Sequence, residues 1–156
     1  MQNLLITPDE VIELAFSPHD RIDPAIITDT RIETAQLKFV EPVLGKLYPA
    51  LINGAYGEFC REFIKPATAY FVKYHIFLHL SVRIGNDGII RLRPADSTPA
   101  DASEIARLRR ESRETACLLL QKAIEHLIEN AEMFPEFAAE SGERPRAKIN
   151  HGGIVI

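Results

Sequence analysis

The stretch KPATAYFVKYHIFLHLSV, residues 65–82, leaves this chain few ways to fold. Read at 3.6 residues per turn, Tyr70, Phe71, Tyr74, Phe77, Leu78 and two histidines cover most of a helix circumference, so no broad polar face is left for water. A helix of that kind belongs in the middle of a bundle or between subunits. Its most apolar part, ATAYFVKYHIFLHLSV, is 16 residues long and contains Lys73, His75 and His79, which is too short and too polar to span a bilayer. Pro66 is expected to begin this helix, because its missing amide hydrogen has no intrahelical acceptor in a first turn.

Other helices gather around it. ITPDEVIELAF offers Thr7 as N-cap, Pro8 at the first helical position and Glu10 to return the cap hydrogen bond, which predicts a short helix over 8–15. Asp23 and Pro24 are expected to start a second helix, with Ile32, Ala35 and Phe39 on one side, that stops near Glu41. Pro42, Gly45, Pro49, Gly54 and Gly57 then punctuate one or two helical turns before a helix around 56–64. The longest helix runs from near Ala100 to Asn130, with Ile105, Leu108, Ser112, Ala116, Leu119, Ala123 and Leu127 as its buried stripe. On its polar side Arg107 with Glu111 and Arg110 with Glu114 stand four apart, the pattern of a solvated helix face rather than of a nucleic-acid patch.

Two segments depart from the helical pattern. Asn86, Asp87 and Gly88 favour a turn between Val82, Ile84, Ile89, Ile90 and Leu92, so a short hairpin or extended excursion is expected near residues 82–92. SGERPRAKINHGGIVI has the composition of a flexible C-terminal arm over 141–156, and its β-prone Ile154, Val155 and Ile156 suit addition of an edge strand to a neighbouring molecule. The fold class is therefore all-α or mainly α, a helical bundle forming one domain over residues 1–140.

The 156 residues carry 22 acidic and 18 basic side chains, a formal charge of -4, which gives no global reason to bind nucleic acid or an anionic membrane. No sequence-specific nucleic-acid binding and no membrane attachment are expected. Cys60 and Cys117, the two cysteines, lie far apart within apolar segments and read as buried thiols rather than a disulfide framework. The start, MQNLLITPDEV, lacks the basic and apolar regions of a signal peptide.

Chemistry is thin. His75 and His79 share a helix side, as two metal ligands must, but HIFLH lacks the glutamate of the HExxH hydrolase pattern, and a zinc site needs a third protein ligand such as Glu62, Glu125 or His126. Cys60 with His75 is the one nucleophile-and-base pairing the chain suggests. No phosphate-binding glycine loop and no GxSxG elbow is present. The expectation is no enzyme, no catalytic residue, no metal and no cofactor, with Tyr70, Tyr74, His75, His79, Ile154, Val155 and Ile156 as interface residues. A metal-dependent enzyme built on the histidine pair stands as an alternative.

The arrangement of ITPDEVIELAF, IITDTRIETAQLKFVEPVLGKLYPAL, FIKPATAYFVKYHIFLHL and SEIARLRRESRETACLLLQKAIEHLIEN before MFPEF resembles a family of prophage and phage proteins from Bacteroidetes-type genomes. Its first half also resembles the head-to-tail connector adaptors of tailed phages, with Ile32, Glu33, Ala35 and Gln36 matching the helical segment and Leu44 and Gly45 the turn. The aromatic helix and the Asn-Asp-Gly excursion have no counterpart in the smallest adaptor pattern. What the resemblance implies is a structural subunit, a homo-oligomer forming a ring around the DNA channel, with a portal or tail-completion protein as partner. It would sit at the virion head-to-tail junction after a period in the bacterial cytoplasm. A small helical accessory protein that binds another protein is the alternative from a different class.

Overall fold

The computed structural model describes residues 3–80, 82–85, 88–91, 100–137, 148–150 and 153–155. The turn residues Asn86 and Asp87, the linker 92–99, the arm residues 138–147 and the terminal Ile156 lie outside the described residues.

Helix α1, Pro8–Ala15, begins as its sequence dictates: Thr7 Oγ1 accepts from the Glu10 amide and the Glu10 carboxylate accepts from the Thr7 amide. At its other end Lys73 donates to the Ala15 carbonyl at 2.8 Å, so a side chain from the central helix satisfies an end that α1 cannot satisfy itself. Asp23 and Pro24 do not start the second helix. They form a single 3₁₀ turn, Pro24–Ile26, and α2, Asp29–Ala35, has its own cap in Thr28, whose hydroxyl accepts from the Arg31 amide.

The second helix also does not stop near Glu41. It widens into one π turn over Gln36–Val40 and continues as α3, Glu41–Leu44, which Gly45 ends at φ 53°. The same construction recurs later: α4, Leu47–Ile52, is followed by α5, Gly57–Phe59, a π turn over Cys60–Ile64, and α6, Lys65–Leu80, all wound without a break from Gly57. Each wide turn ends two residues before a proline, Pro42 or Pro66. A proline ring inside an α-helix clashes with the carbonyl four residues back and has no N–H to offer it, and opening one turn relieves the clash without ending the helix. Pro66 therefore sits inside a long helix rather than starting one.

Strands β1, Val82–Gly85, and β2, Gly88–Arg91, form the antiparallel hairpin expected here, with Ile84 opposite Ile89. Helix α7, Ala102–Glu129, opens on a second capping box, Asp101 with Glu104. It lies antiparallel to the Gly57–Leu80 helix: Arg109 meets Tyr74 near one end of the pair, and His126 meets Phe63 near the other. Strands β3, Lys148–Asn150, and β4, Gly153–Val155, pair antiparallel, so Ile154 and Val155 find partners in Ile149 and Lys148 of their own chain.

The fold is thus a mainly helical bundle, with α6 at its centre packed against α1, α2 and α7. One continuous core holds Ile6, Val11, Ile32, Leu44, Leu47, Ile64, Phe71, Val72, Ile76, Leu120 and Leu127, all nearly or fully withdrawn from water. The stripe of α7 is Ser112, Ala116, Leu120, Ala123 and Leu127, with Leu120 in place of Leu119 and with Leu108 exposed. Among the described residues no helix is long and apolar enough to cross a membrane.

Candidate functional site

Among the described residues three polar side chains lie in the core, and the largest explains the N-terminal arrangement. Gln36, fully buried in the first π turn, accepts from the Leu5 amide at 2.8 Å and donates to the Asn3 carbonyl at 3.0 Å and the Tyr48 hydroxyl at 2.9 Å. It docks an extended segment onto the bundle and lets Leu5 and Ile6 enter the core. Thr68 and Ser112 donate to carbonyls one turn back, Ile64 and Leu108, and so satisfy themselves within their own helices. These are structural roles.

The expected interface residues on α6 converge with cations from two other helices. Tyr74 takes the edge of Phe39 at 6.0 Å and carries the Arg109 guanidinium over its ring at 4.4 Å and that of Arg113 at 5.9 Å. Arg109 also reaches the Tyr74 carbonyl at 3.4 Å. Phe39 in turn stacks on Phe71 at 4.6 Å and has Lys38 beside its ring at 5.4 Å. Beside Tyr74 and one turn further on, the His75 and His79 rings lie 6.5 Å apart, His75 half-buried and His79 exposed. Tyr70 is half-buried beside Lys73, whose ammonium lies 5.7 Å from its ring and 4.8 Å from that of Phe16.

Electrostatics agree with this geometry. Burial pushes the His75 imidazole below the ordinary histidine range, and Lys38, His79, Arg31 and Arg109 push it further the same way. Among the described residues none of Arg31, Lys38, Arg109 and Arg113 forms an ion pair with a carboxylate; the ion pairs there join Glu10 to Lys65, Glu58 to Arg61 and Glu111 to Arg107. The face is cationic and aromatic, built from α2, the turn after it, α6 and α7. Arg109 and Arg113 were not anticipated as part of it, because on α7 alone they read as members of a solvated, charge-balanced helix.

The chemical alternatives fare differently. Among the described residues no group of three or more His, Cys, Asp or Glu side chains could hold a metal ion, so Glu62, Glu125 and His126 do not complete a site with His75 and His79. His126 instead packs against both Phe63, at 4.6 Å, and Phe59, at 5.7 Å, which also stack on each other at 5.5 Å. Cys60 and His75 lie on one unbroken helix, 15 positions and therefore about 22 Å apart along its axis, beyond any proton transfer. Burial raises the Cys60 and Cys117 thiols above their ordinary range, away from the thiolate a nucleophile needs.

A second aromatic group closes the opposite end of the α6 and α7 pair. Phe134 packs on Phe59 at 5.0 Å and on Tyr56 at 4.9 Å, and the Tyr56 hydroxyl donates to Glu136 at 2.7 Å. Tyr56 holds φ 55°, a left-handed conformation unusual for an aromatic residue, between a ring contact and a hydrogen bond that fix it.

No curated protein and no solved structure matches the chain. A family model does match, over residues 28–147, from just before α2 into the segment that follows α7, and the chain is accordingly a member of DUF6712, a family of unknown function.

Proposed function

We propose that this protein works without catalysis, as a small helical subunit that binds other protein chains. The observation that carries this reading is the face around Tyr74: arginine, tyrosine and histidine side chains from three helices, cationic and without carboxylate partners among the described residues. Arginine and tyrosine combine large contact area with directed hydrogen bonding, which is why they dominate the binding energy of protein interfaces. The test is chemical cross-linking through the exposed Lys38 in the native source, followed by mass spectrometry. Recurrent cross-links to a defined surface of another chain, whether a different protein or a second copy distinguished by isotope labelling, support the reading, and cross-links confined within single molecules remove it.

The finer form of the proposal places the protein in a tailed-phage particle, as a head-to-tail connector adaptor that forms a ring with its own copies beneath a portal or tail-completion protein. The sequence pattern over residues 4–137 favours this setting. The matched residues themselves are structural, since Ile32, Ala35 and Gln36 are buried and Gly45 ends a helix, so the pattern speaks first to the fold. Electron microscopy of the native particle with a label on this chain decides it: density at the junction is expected, and absence from the particle sinks the connector setting while leaving the binding role standing.

A further inference from the structure

The cations around Tyr74 come from separate parts of the chain and act on one spot. Arg31 lies on α2, Lys38 on the π turn after it, and Arg109 and Arg113 one turn apart on α7. After burial, the influences that lower the His75 pKa are Lys38, His79, Arg31 and Arg109, and among the described residues no carboxylate offsets them. Glu33 and Glu41, exposed on the same run of helix as Lys38, instead add to the burial that raises the Tyr48 hydroxyl. Arg109 uses its Nε–H on the Tyr74 carbonyl and lies over the Tyr74 ring at 4.4 Å, two contacts that position the guanidinium. Its terminal nitrogens have no carboxylate partner among the described residues. A guanidinium placed in this way keeps a flat N–H edge for an anion, and a planar carboxylate matches that edge with two hydrogen bonds.

The size of the patch selects among anions. Arg109 and Arg113 stand about 6 Å apart along α7, and Tyr74 to His79 covers about 7.5 Å along α6. Each length matches about two or three residues of an extended peptide. Duplex DNA presents a charge about every 1.7 Å over a far greater length. Past the patch it would meet the exposed Glu111 and Glu114 of α7, on a chain whose formal charge is -4. We propose that the Tyr74 face holds a short acidic segment of a different protein, whose clustered aspartate or glutamate carboxylates are taken by Arg109, Arg113 and Lys38. The inference rests on the reading of the chain as a protein-binding subunit and names the chemistry of what it binds. Like charges that crowd His75 in the free chain each gain an opposite charge in the complex, so the attraction selects carboxylate-rich sequence and weakens in salt.

Selection of a random peptide library on the full chain, followed by fluorescence anisotropy with the recovered peptides, tests this. Recovered sequences should carry Asp or Glu at neighbouring positions well above their share in the library, and raising salt from about 0.05 to about 0.5 M should release them. Lys38→Glu with Arg113→Glu should weaken binding by about tenfold or more. Arg61→Glu with Lys122→Glu makes the same change in net charge at exposed positions about 20 Å along their helices from Tyr74 and Arg109, and should bind as wild type does. Circular dichroism melts check folding, and Lys38→Glu alone, at an exposed position, carries the test should the half-buried Arg113 not tolerate the change. Recovered peptides without acidic enrichment overturn the proposal, as does a selection that enriches no sequence or acidic peptides that bind both double variants alike. Labelled duplex DNA that binds the wild type more tightly than the acidic peptides, and is lost in the Lys38→Glu, Arg113→Glu variant, would overturn it too and assign the face to phosphate. Cross-links from Lys38 to a surface of another chain that bears no acidic cluster would keep the binding role and remove only its acidic partner.

Discussion

At the scale of single residues, Gln36 and His75 show how one side chain can belong wholly to the fold or to its surface. Replacing Gln36 with leucine keeps the volume but leaves the Leu5 amide, the Asn3 carbonyl and the Tyr48 hydroxyl without their partner, and should cost about 3 kcal/mol in urea unfolding. His75 has a folded-state pKa held below its ordinary 6.5, chiefly by burial and then by Lys38, His79, Arg31 and Arg109. The unfolded chain therefore binds the proton more readily, and stability must fall as pH drops through 6.5 toward the lower folded value. His75→Gln should flatten that part of a melting-temperature profile relative to wild type, and two parallel profiles would refute the assignment. Elemental analysis belongs beside it: His75→Gln with His79→Gln should change no stoichiometric metal content, whereas about one zinc per chain lost from a folded double variant would restore the metal reading. The spacing of the two histidines was legible from sequence because helical geometry is local. Their cationic surroundings were not, because Arg31, Lys38 and Arg109 arrive from elements distant in the chain.

Among the elements, the cap of α1 was legible, whereas the caps of α2 at Thr28 and of α7 at Asp101 and the wide turns were not read. Thr7 with Glu10 states a helix start in four residues, but nothing around Pro42 or Pro66 says whether the proline ends a helix, opens one or sits inside it. That choice is made by packing: Phe59, Cys60 and Ile64 must be buried on the same side as Phe71 and Ile76. A π turn is one residue more than regular winding needs, so deleting the exposed Glu62 should force Pro66 against the preceding carbonyl and cost about 3 kcal/mol. Deleting Glu62 together with Pro66→Ala should recover most of that loss, and thermal melts of the two variants distinguish the outcomes. The stripe of α7 was read correctly at Ser112, Ala116, Ala123 and Leu127, one residue off at Leu119 and wrongly at Leu108, which is exposed, since over 28 residues a repeat read as threes and fours drifts around the helix. Leu120→Ala should accordingly destabilise by about 3 kcal/mol and Leu118→Ala by less than about 0.5 kcal/mol as a monomer.

For the molecule as a whole, the central position of α6 was implied by its apolar circumference, and the antiparallel α6 and α7 pair forms the frame on which the shorter helices rest. The arrangement of charge follows from that frame, because α7 spends one side on the core and carries its carboxylates and its cations together on the rest of its surface. The Gln36 clamp has a further consequence, expressed in time rather than in energy. Its three partners lie 31, 33 and 12 residues away in sequence, so the segment carrying Leu5 cannot be held until α2, its wide turn and α4 have already come together. Once held, the Leu5 amide is shut inside the core and loses its protection only when those elements part. In hydrogen exchange it should persist with the slow amides of the bundle interior, although it is joined to no helix and to no strand.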